Sequence, residues 1–239
     1  MSTRGAGLAL RNDPGPVWRV GFRPNPWAWS DWKYATDEGR FNGRWDDIRG
    51  QFRTVYAGET LYACLIEVLA KYRRDAVLST ALDAIIVDPV DADHYPAQPA
   101  ATVGFDWLEP RCASSGGLRG TFCDITASST IAALWGEFVQ TALGLGAADF
   151  DAAALKDSAP RDLTRGVASW LYARTTPVVD GVEFGSRHGD DLRLWAIFER
   201  PSIDSVSSPL ITSPQLQRLT PETPEIIEAF TTLGLAWGG

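Results

Sequence analysis

Between Thr60 and Arg74 the apolar residues Leu61, Cys64, Leu65, Val68, Leu69 and Tyr72 recur at i, i+3, i+4, i+7, i+8 and i+11. That spacing predicts one buried stripe on an α-helix. The short β-branched and aromatic run at 53–57 just ahead of it predicts a strand, as do residues 17–20, 84–87 and 121–125. Helices are expected at 129–144 and at 162–174, the latter with Asp162 as its cap. Two more strands, 181–185 and 193–198, should be joined by the polar loop 186–191, and a final helix should run from 224 to 233. Three stretches lack periodicity. Residues 1–16 read as a loose lead-in, 24–37 as an irregular loop pinned by Trp27, Trp29, Trp32 and Tyr34, and 96–110 as a proline-punctuated loop. The tryptophans of the second stretch are expected at a core edge or an interface, ahead of ligand stacking. Strands and helices mix without strict alternation, so the expected class is α+β, a mixed central sheet with flanking helices.

A chain of 239 residues can bury one substantial core. We divide it into the lead-in 1–16, a catalytic domain 17–200, and an extension 201–239 whose terminal helix packs on the same domain. The formal net charge of −8 disfavours nucleic acid and anionic membrane surfaces as partners. It leaves room for a small anionic ligand, since a few locally placed arginines can hold a pyrophosphate. Three scattered cysteines and the lack of a long apolar run near the N-terminus suggest a reduced, cytoplasmic setting. With His94 and His188 the only histidines and no closely spaced Cys/His pair, no metal site is expected.

Two common site motifs fail. Gly144-Leu145-Gly146 lacks the third glycine of a dinucleotide-binding turn and follows a helical run. Gly185-Ser186-Arg187-His188-Gly189 has the wrong spacing for a nucleophile elbow. Two features survive. Glu67 is the only charged residue between Thr60 and Ala70, with Ala63, Ile66 and Ala70 beside it. A carboxylate so isolated needs a partner, and an ion pair and a functional cleft fit the pattern equally. Arg40 and Arg44 lie on the turn-rich segment 39–47, where guanidinium groups could grip a diphosphate or pair at the surface with Asp46 and Asp47.

The ordered combination of Trp18-Arg19, Gly43-Arg44-Trp45-Asp46-Asp47, Val55-Tyr56 and Glu67 resembles the first half of the RES-domain family, named for an Arg, a Glu and a Ser. Asp162-Leu163-Thr164-Arg165, Trp170-Leu171-Tyr172, Asp180-Gly181-Val182 and Ser186-Arg187-His188 resemble its closing half, with Ser186 as the named serine. The chain departs from the family at Val20, where an aromatic residue is frequent, and in its Trp-rich loop and C-terminal extension. The resemblance implies a fold similar to ADP-ribosyltransferases and the consumption of NAD as substrate, with no cofactor. The fate of the ribosyl group stays open among phosphorolysis with inorganic phosphate as co-substrate, hydrolysis, and transfer to a protein. It also implies a toxin restrained by an antitoxin partner of the Xre DNA-binding type. By this resemblance Glu67 stabilises the oxocarbenium-like centre and Arg44, with Arg19 or Arg40, holds the pyrophosphate. Tyr56 packs on the nicotinamide or ribose, and Ser186 bonds the ribose or meets the incoming phosphate. A catalytically silent module that binds a nucleotide or a partner is the alternative from another class, and homo-oligomerisation is compatible with the extra segments.

Overall fold

The computed structural model describes residues 7–74, 101–157, 159–201 and 206–238. The strand expected at 84–87 and the start of the loop expected at 96–110 lie outside them. Among the described residues ten strands are formed: β1 (Leu10–Asn12), β2 (Gly15–Phe22), β3 (Thr54–Gly58), β4 (Thr102–Gly104), β5 (Arg111–Leu118), β6 (Thr121–Asp124), β7 (Gly181–Ser186), β8 (Gly189–Phe198), β9 (Ile211–Gln217) and β10 (Ala236–Gly238). Eight of them build one mixed sheet in the order β1-β6-β7-β8-β3-β2-β5-β9, and β4 pairs with β10 separately. Within the large sheet β6 and β7 run parallel, and the other neighbours run antiparallel. The helices are α1 (Leu61–Leu69), α2 (Ser128–Gly144), α3 (Ala152–Lys156), α4 (Arg161–Tyr172) and α5 (Pro224–Leu233). The fold is α+β, as the mixed order of elements predicts.

The period of two along β3 and β8 sends residues to two different cores. Tyr56, Leu194, Ala196 and Phe198 face the larger one, which α1, α2, α4 and α5 cover. Val55, Ala57, Trp195 and Ile197 face a smaller one on the opposite side, closed by Trp27 and Trp29. Those two indoles are almost wholly buried, and the Trp27 Nε1–H donates to Ser114 Oγ at 2.8 Å. The irregular loop is therefore the cover of a sheet face, while Trp32 and Tyr34 farther along it stay exposed.

α1 forms where the stripe predicts it. The Thr60 side chain accepts the Ala63 N–H at 3.1 Å as its N-cap, and Leu61, Cys64, Leu65 and Leu69 are buried. It ends earlier than expected, at Leu69, and a 3-10 turn over Ala70–Tyr72 carries the chain out. No glycine follows to form a left-handed cap, so the last carbonyls are met by a tightened turn. The Cys64 thiol donates to the Trp18 carbonyl at 3.0 Å and ties the helix to β2, and α5 packs along α1, with the Tyr62 hydroxyl bonded to Thr232 Oγ1 at 2.9 Å.

Several expectations are corrected. Residues 10–12, within the lead-in taken as loose, pair with β6 at the edge of the sheet. Residues 102–104, within the expected loop 96–110, form β4 because β10 returns alongside them. α4 starts at Arg161 after Pro160, which leaves Asp162 in the first turn and not at the cap. The polar loop 186–191 shrinks to the two-residue turn Arg187-His188, because Ser186 pairs directly with Gly189. β5, α3 and β9 are elements that the hydrophobic pattern does not mark.

Candidate active site

A cavity of about 420 Å³ opens where the C-terminal half of α1 passes over β2, β3, β7 and β8. The volume is in the range of sites for small ligands. Of the residues expected at the site, Arg19, Arg44, Tyr56 and Glu67 line this cavity, and Ser186 is bonded to Glu67 at its edge. Arg40 is not among them.

Glu67 projects from the exposed side of α1 into the cavity, and Ser186 Oγ donates to its Oε1. Ser186 is buried at the end of β7, on the same strand face as Phe184, and its Oγ also accepts the His188 N–H at 2.9 Å. Among the described residues, the hydrogen-bond partner of Glu67 is a hydroxyl at the rim of a cavity.

Arg44 is placed by a tightly specified turn. The Asp46 carboxylate accepts the Gly43 N–H and, at 3.0 Å, the Tyr56 hydroxyl, which in turn accepts the Trp45 N–H at 2.9 Å. A side chain at position 43 would put its Cβ 2.5 Å from the Tyr56 oxygen and 2.6 Å from Asp46 Oδ2, so glycine is required there. Asp47 is buried as well and accepts from Gln51 N and Ser169 Oγ. Among the described residues neither Arg40 nor Arg44 forms a salt bridge with Asp46 or Asp47, whose carboxylates serve the turn. Arg165, 3 % exposed, braces the same segment through Asp37 Oδ2 at 3.0 Å. Arg40 bonds Asp37 and the Ile48 carbonyl and closes its own loop away from the cavity. Arg44 itself donates to the Lys156 carbonyl and lies 5.9 Å over the Phe184 ring.

Arg19 reaches the cavity wall but spends its donors on structure, bonding the carbonyls of Pro26 at 2.5 Å and Tyr56 at 2.6 Å. Burial lowers its pKa to about 10, against the opposing pull of Cys64 and Tyr56. Burial, reinforced by Asp46, pushes the Tyr56 phenol well above its ordinary range, so it remains a hydrogen-bond donor and a ring in the wall. The Arg44 pKa is lowered first by burial, with Glu67 acting against this and Arg187 and Arg161 adding to it.

Sequence reasoning assigned no role to Arg161, Arg187, His188, Lys71 or Phe184, all of which line the cavity. Arg187 and His188 directly follow Ser186, and that adjacency was the available signal. Arg161 and Lys71 carry none, because they arrive from separate helices. Among the described residues no cluster of His, Cys, Asp and Glu suits a metal ion, and no helix is long and apolar enough to cross a membrane. Among the described residues the cavity is lined by one carboxylate, bonded by a serine, together with several guanidinium groups and Phe184, Leu194 and Val20 as apolar wall. Such a site suits a molecule whose cationic or developing cationic centre lies near a polyanionic part.

The family model described as "RES domain" matches residues 16–219. Among solved structures, the M. tuberculosis MbcT-MbcA toxin-antitoxin complex matches with 13% identity over 86% of this chain and 86% of that one, at a TM-score of 0.38. No curated protein matches.

Proposed function

The chain belongs to the RES-domain family, and from that premise we propose that it cleaves NAD at the nicotinamide–ribose bond. The observation that carries the reading is Glu67, held by Ser186, facing the Arg44 side of a single cavity. Bond cleavage leaves positive charge on the ribose, and a carboxylate fixed beside that carbon stabilises the charge without reorganising. Arg44, with Arg161 and Arg187, supplies the cations for the pyrophosphate, while Tyr56 and Phe184 offer ring surface to the nicotinamide or ribose. Arg19 supports the wall through its bonds to the backbone, and Arg40 lies outside this arrangement. The ribosyl group passes to water or to inorganic phosphate, and no further cofactor is required.

Incubating the purified protein with NAD, with and without phosphate, and identifying the products tests this directly. Nicotinamide with ADP-ribose indicates hydrolysis, and ADP-ribose-1″-phosphate formed only with phosphate indicates phosphorolysis. Label from NAD appearing on a protein would make the enzyme a mono-ADP-ribosyltransferase. Intact NAD under all conditions would sink the reading and favour a silent binding module. We further propose, from the family resemblance, that the protein acts as a toxin in the cytoplasm and is restrained by an antitoxin with an Xre-type DNA-binding domain. Expression of the wild type should then slow growth, and Glu67→Ala should abolish the effect.

A further inference from the structure

The cavity wall contains a histidine to which the chemistry above gives no task. His188 sits in the two-residue turn between β7 and β8, half-buried, with its N–H anchored on Ser186 Oγ at 2.9 Å. Its Nε2 accepts from Arg187 Nε at 3.4 Å, so the ring is held as a neutral acceptor. Among the described residues, the charges acting on it are Glu67 on α1, Arg73 in the segment after α1, Arg44 on the 43–47 turn and Arg187 on its own turn. Lys71 and Arg161 line the same cavity, and Asp190, just beyond the turn, is taken by Lys156.

The hydroxyl and thiol groups of the wall are committed. The Tyr56 hydroxyl serves Asp46 and the Trp45 N–H, the Cys64 thiol serves the Trp18 carbonyl, and the Ser186 hydroxyl serves Glu67. The imidazole is different, because what it faces depends on what fills the cavity. With the cavity open, Arg44, Arg73 and Arg187 oppose a positive charge on the ring. A dianion lying against Arg44 and Arg187, which line the cavity, weakens that opposition and offers oxygens to both ring nitrogens, which only the imidazolium can answer with two N–H donors.

We propose that His188 completes an oxyanion cradle with Arg44, Arg161 and Arg187, and that a dianionic ligand entering the cradle brings one proton onto the imidazole. Burial and the surrounding arginines hold the His188 pKa below its ordinary value in the open cavity, with Glu67 partly offsetting them, which is the starting state the proposal needs. The extension to NAD rests on the reading of the cavity as a dinucleotide site. The cradle itself does not.

Calorimetric titration in buffers of different ionisation enthalpy tests both parts. Sulfate and ADP-ribose serve as probes, because neither exchanges protons between about pH 6 and pH 8. We expect uptake approaching one proton per ligand, and affinity that rises as pH falls by up to about tenfold per pH unit. His188→Gln should abolish the uptake and flatten the pH dependence, and His188→Lys should bind without uptake and keep its affinity at the alkaline end. Glu67→Gln should retain the uptake, which separates the imidazole from the neighbouring carboxylate. Far-UV circular dichroism identifies a misfolded His188→Gln, for which His188→Asn substitutes. Uptake from sulfate without binding of ADP-ribose would refute the dinucleotide reading and leave the cradle standing. Uptake that survives in folded His188→Gln, binding without uptake in the wild type, or no binding of either dianion would overturn the proposal.

Discussion

Ser186 Oγ donates its hydrogen to Glu67 Oε1 and accepts the His188 N–H at 2.9 Å, so both faces of the hydroxyl are occupied within the protein. The serine is thus suited to aiming the carboxylate more than to handling substrate. A hydrogen bond to a charged group contributes about 1.5–3 kcal/mol, equivalent to roughly tenfold to a hundredfold in rate. We expect Ser186→Ala to lower kcat for nicotinamide release by that factor with little change in KM. Glu67→Gln, which removes the charge itself, should lower kcat by about a thousandfold. Equal losses in the two variants, or a Ser186→Ala effect confined to KM, would assign the serine a direct role in binding.

Arg44 and Arg40 compete for one role in the sequence and part company in the structure. Arg44 lines the cavity over Phe184, and Arg40 is tied to Asp37 and Ile48. Arg44→Ala should raise KM for NAD more than Glu67→Ala does, because diphosphate capture acts largely in the ground state. Arg40→Ala should leave KM unchanged and lower thermal stability slightly. Steady-state kinetics on the three variants decide it, and a KM increase in Arg40→Ala would place its loop at the ligand after all.

How far the site could be read from the sequence depended on whether a residue stood out against its own element. Glu67 did, as one charge in an apolar helix, and the structure sets it in the same cavity as Tyr56. β5 did not, since its Ala113, Ser114, Gly116 and Gly117 carry neither bulk nor alternation. It is a strand because eight of its residues pair with β2 and because small residues are needed where β9 approaches: a Cβ on Gly116 would lie 2.9 Å from Ile211 Cγ2. β9 was hidden by its edge position, where a mostly exposed strand shows no apolar face. Arg161 was invisible as a site residue because its place on the cavity with Arg44 is created by the packing of α4 around the same opening, which no local pattern encodes, whereas Arg187 is marked only by its adjacency to Ser186.

Tyr56 joins site and scaffold, and its two parts can be tested separately. The hydroxyl holds Asp46 and the Trp45 N–H, and the ring lines the cavity. Tyr56→Phe keeps the ring and leaves the buried Asp46 short of a donor, for a loss of about 1–3 kcal/mol. Burial already raises the Asp46 pKa, so the carboxylate has little solvent to replace the lost bond. We expect a lower denaturation midpoint with KM for NAD within about twofold. Gly43→Ala, which drives a methyl group into the same two oxygens, should lower stability further and raise KM by displacing Arg44. A Tyr56→Phe enzyme of full stability would show that the hydroxyl does not organise the turn.

The buried thiols predict how the fold responds to alkali. Burial pushes both Cys64 and Cys123 up to about 12 from an ordinary value of 9.0. Cys123 is fully buried, and the shift is only partly offset by Arg19 at Cys64 and by Thr130 at Cys123. A thiol whose pKa is higher in the folded than in the unfolded chain keeps its proton in the native state after the unfolded state has released it. The contribution of each is therefore intact below pH 9 and is lost as pH rises toward 12. The slope is about 1.4 kcal/mol per pH unit per thiol. Urea denaturation at a series of alkaline pH values should show stability falling across that window. Cys123→Ala should reduce the slope by about half of the two-thiol effect, whatever it does to stability at neutral pH. An unchanged slope would mean that Cys123 ionises as readily in the folded protein as in the open chain, and that the packing of β6 against α2 admits solvent.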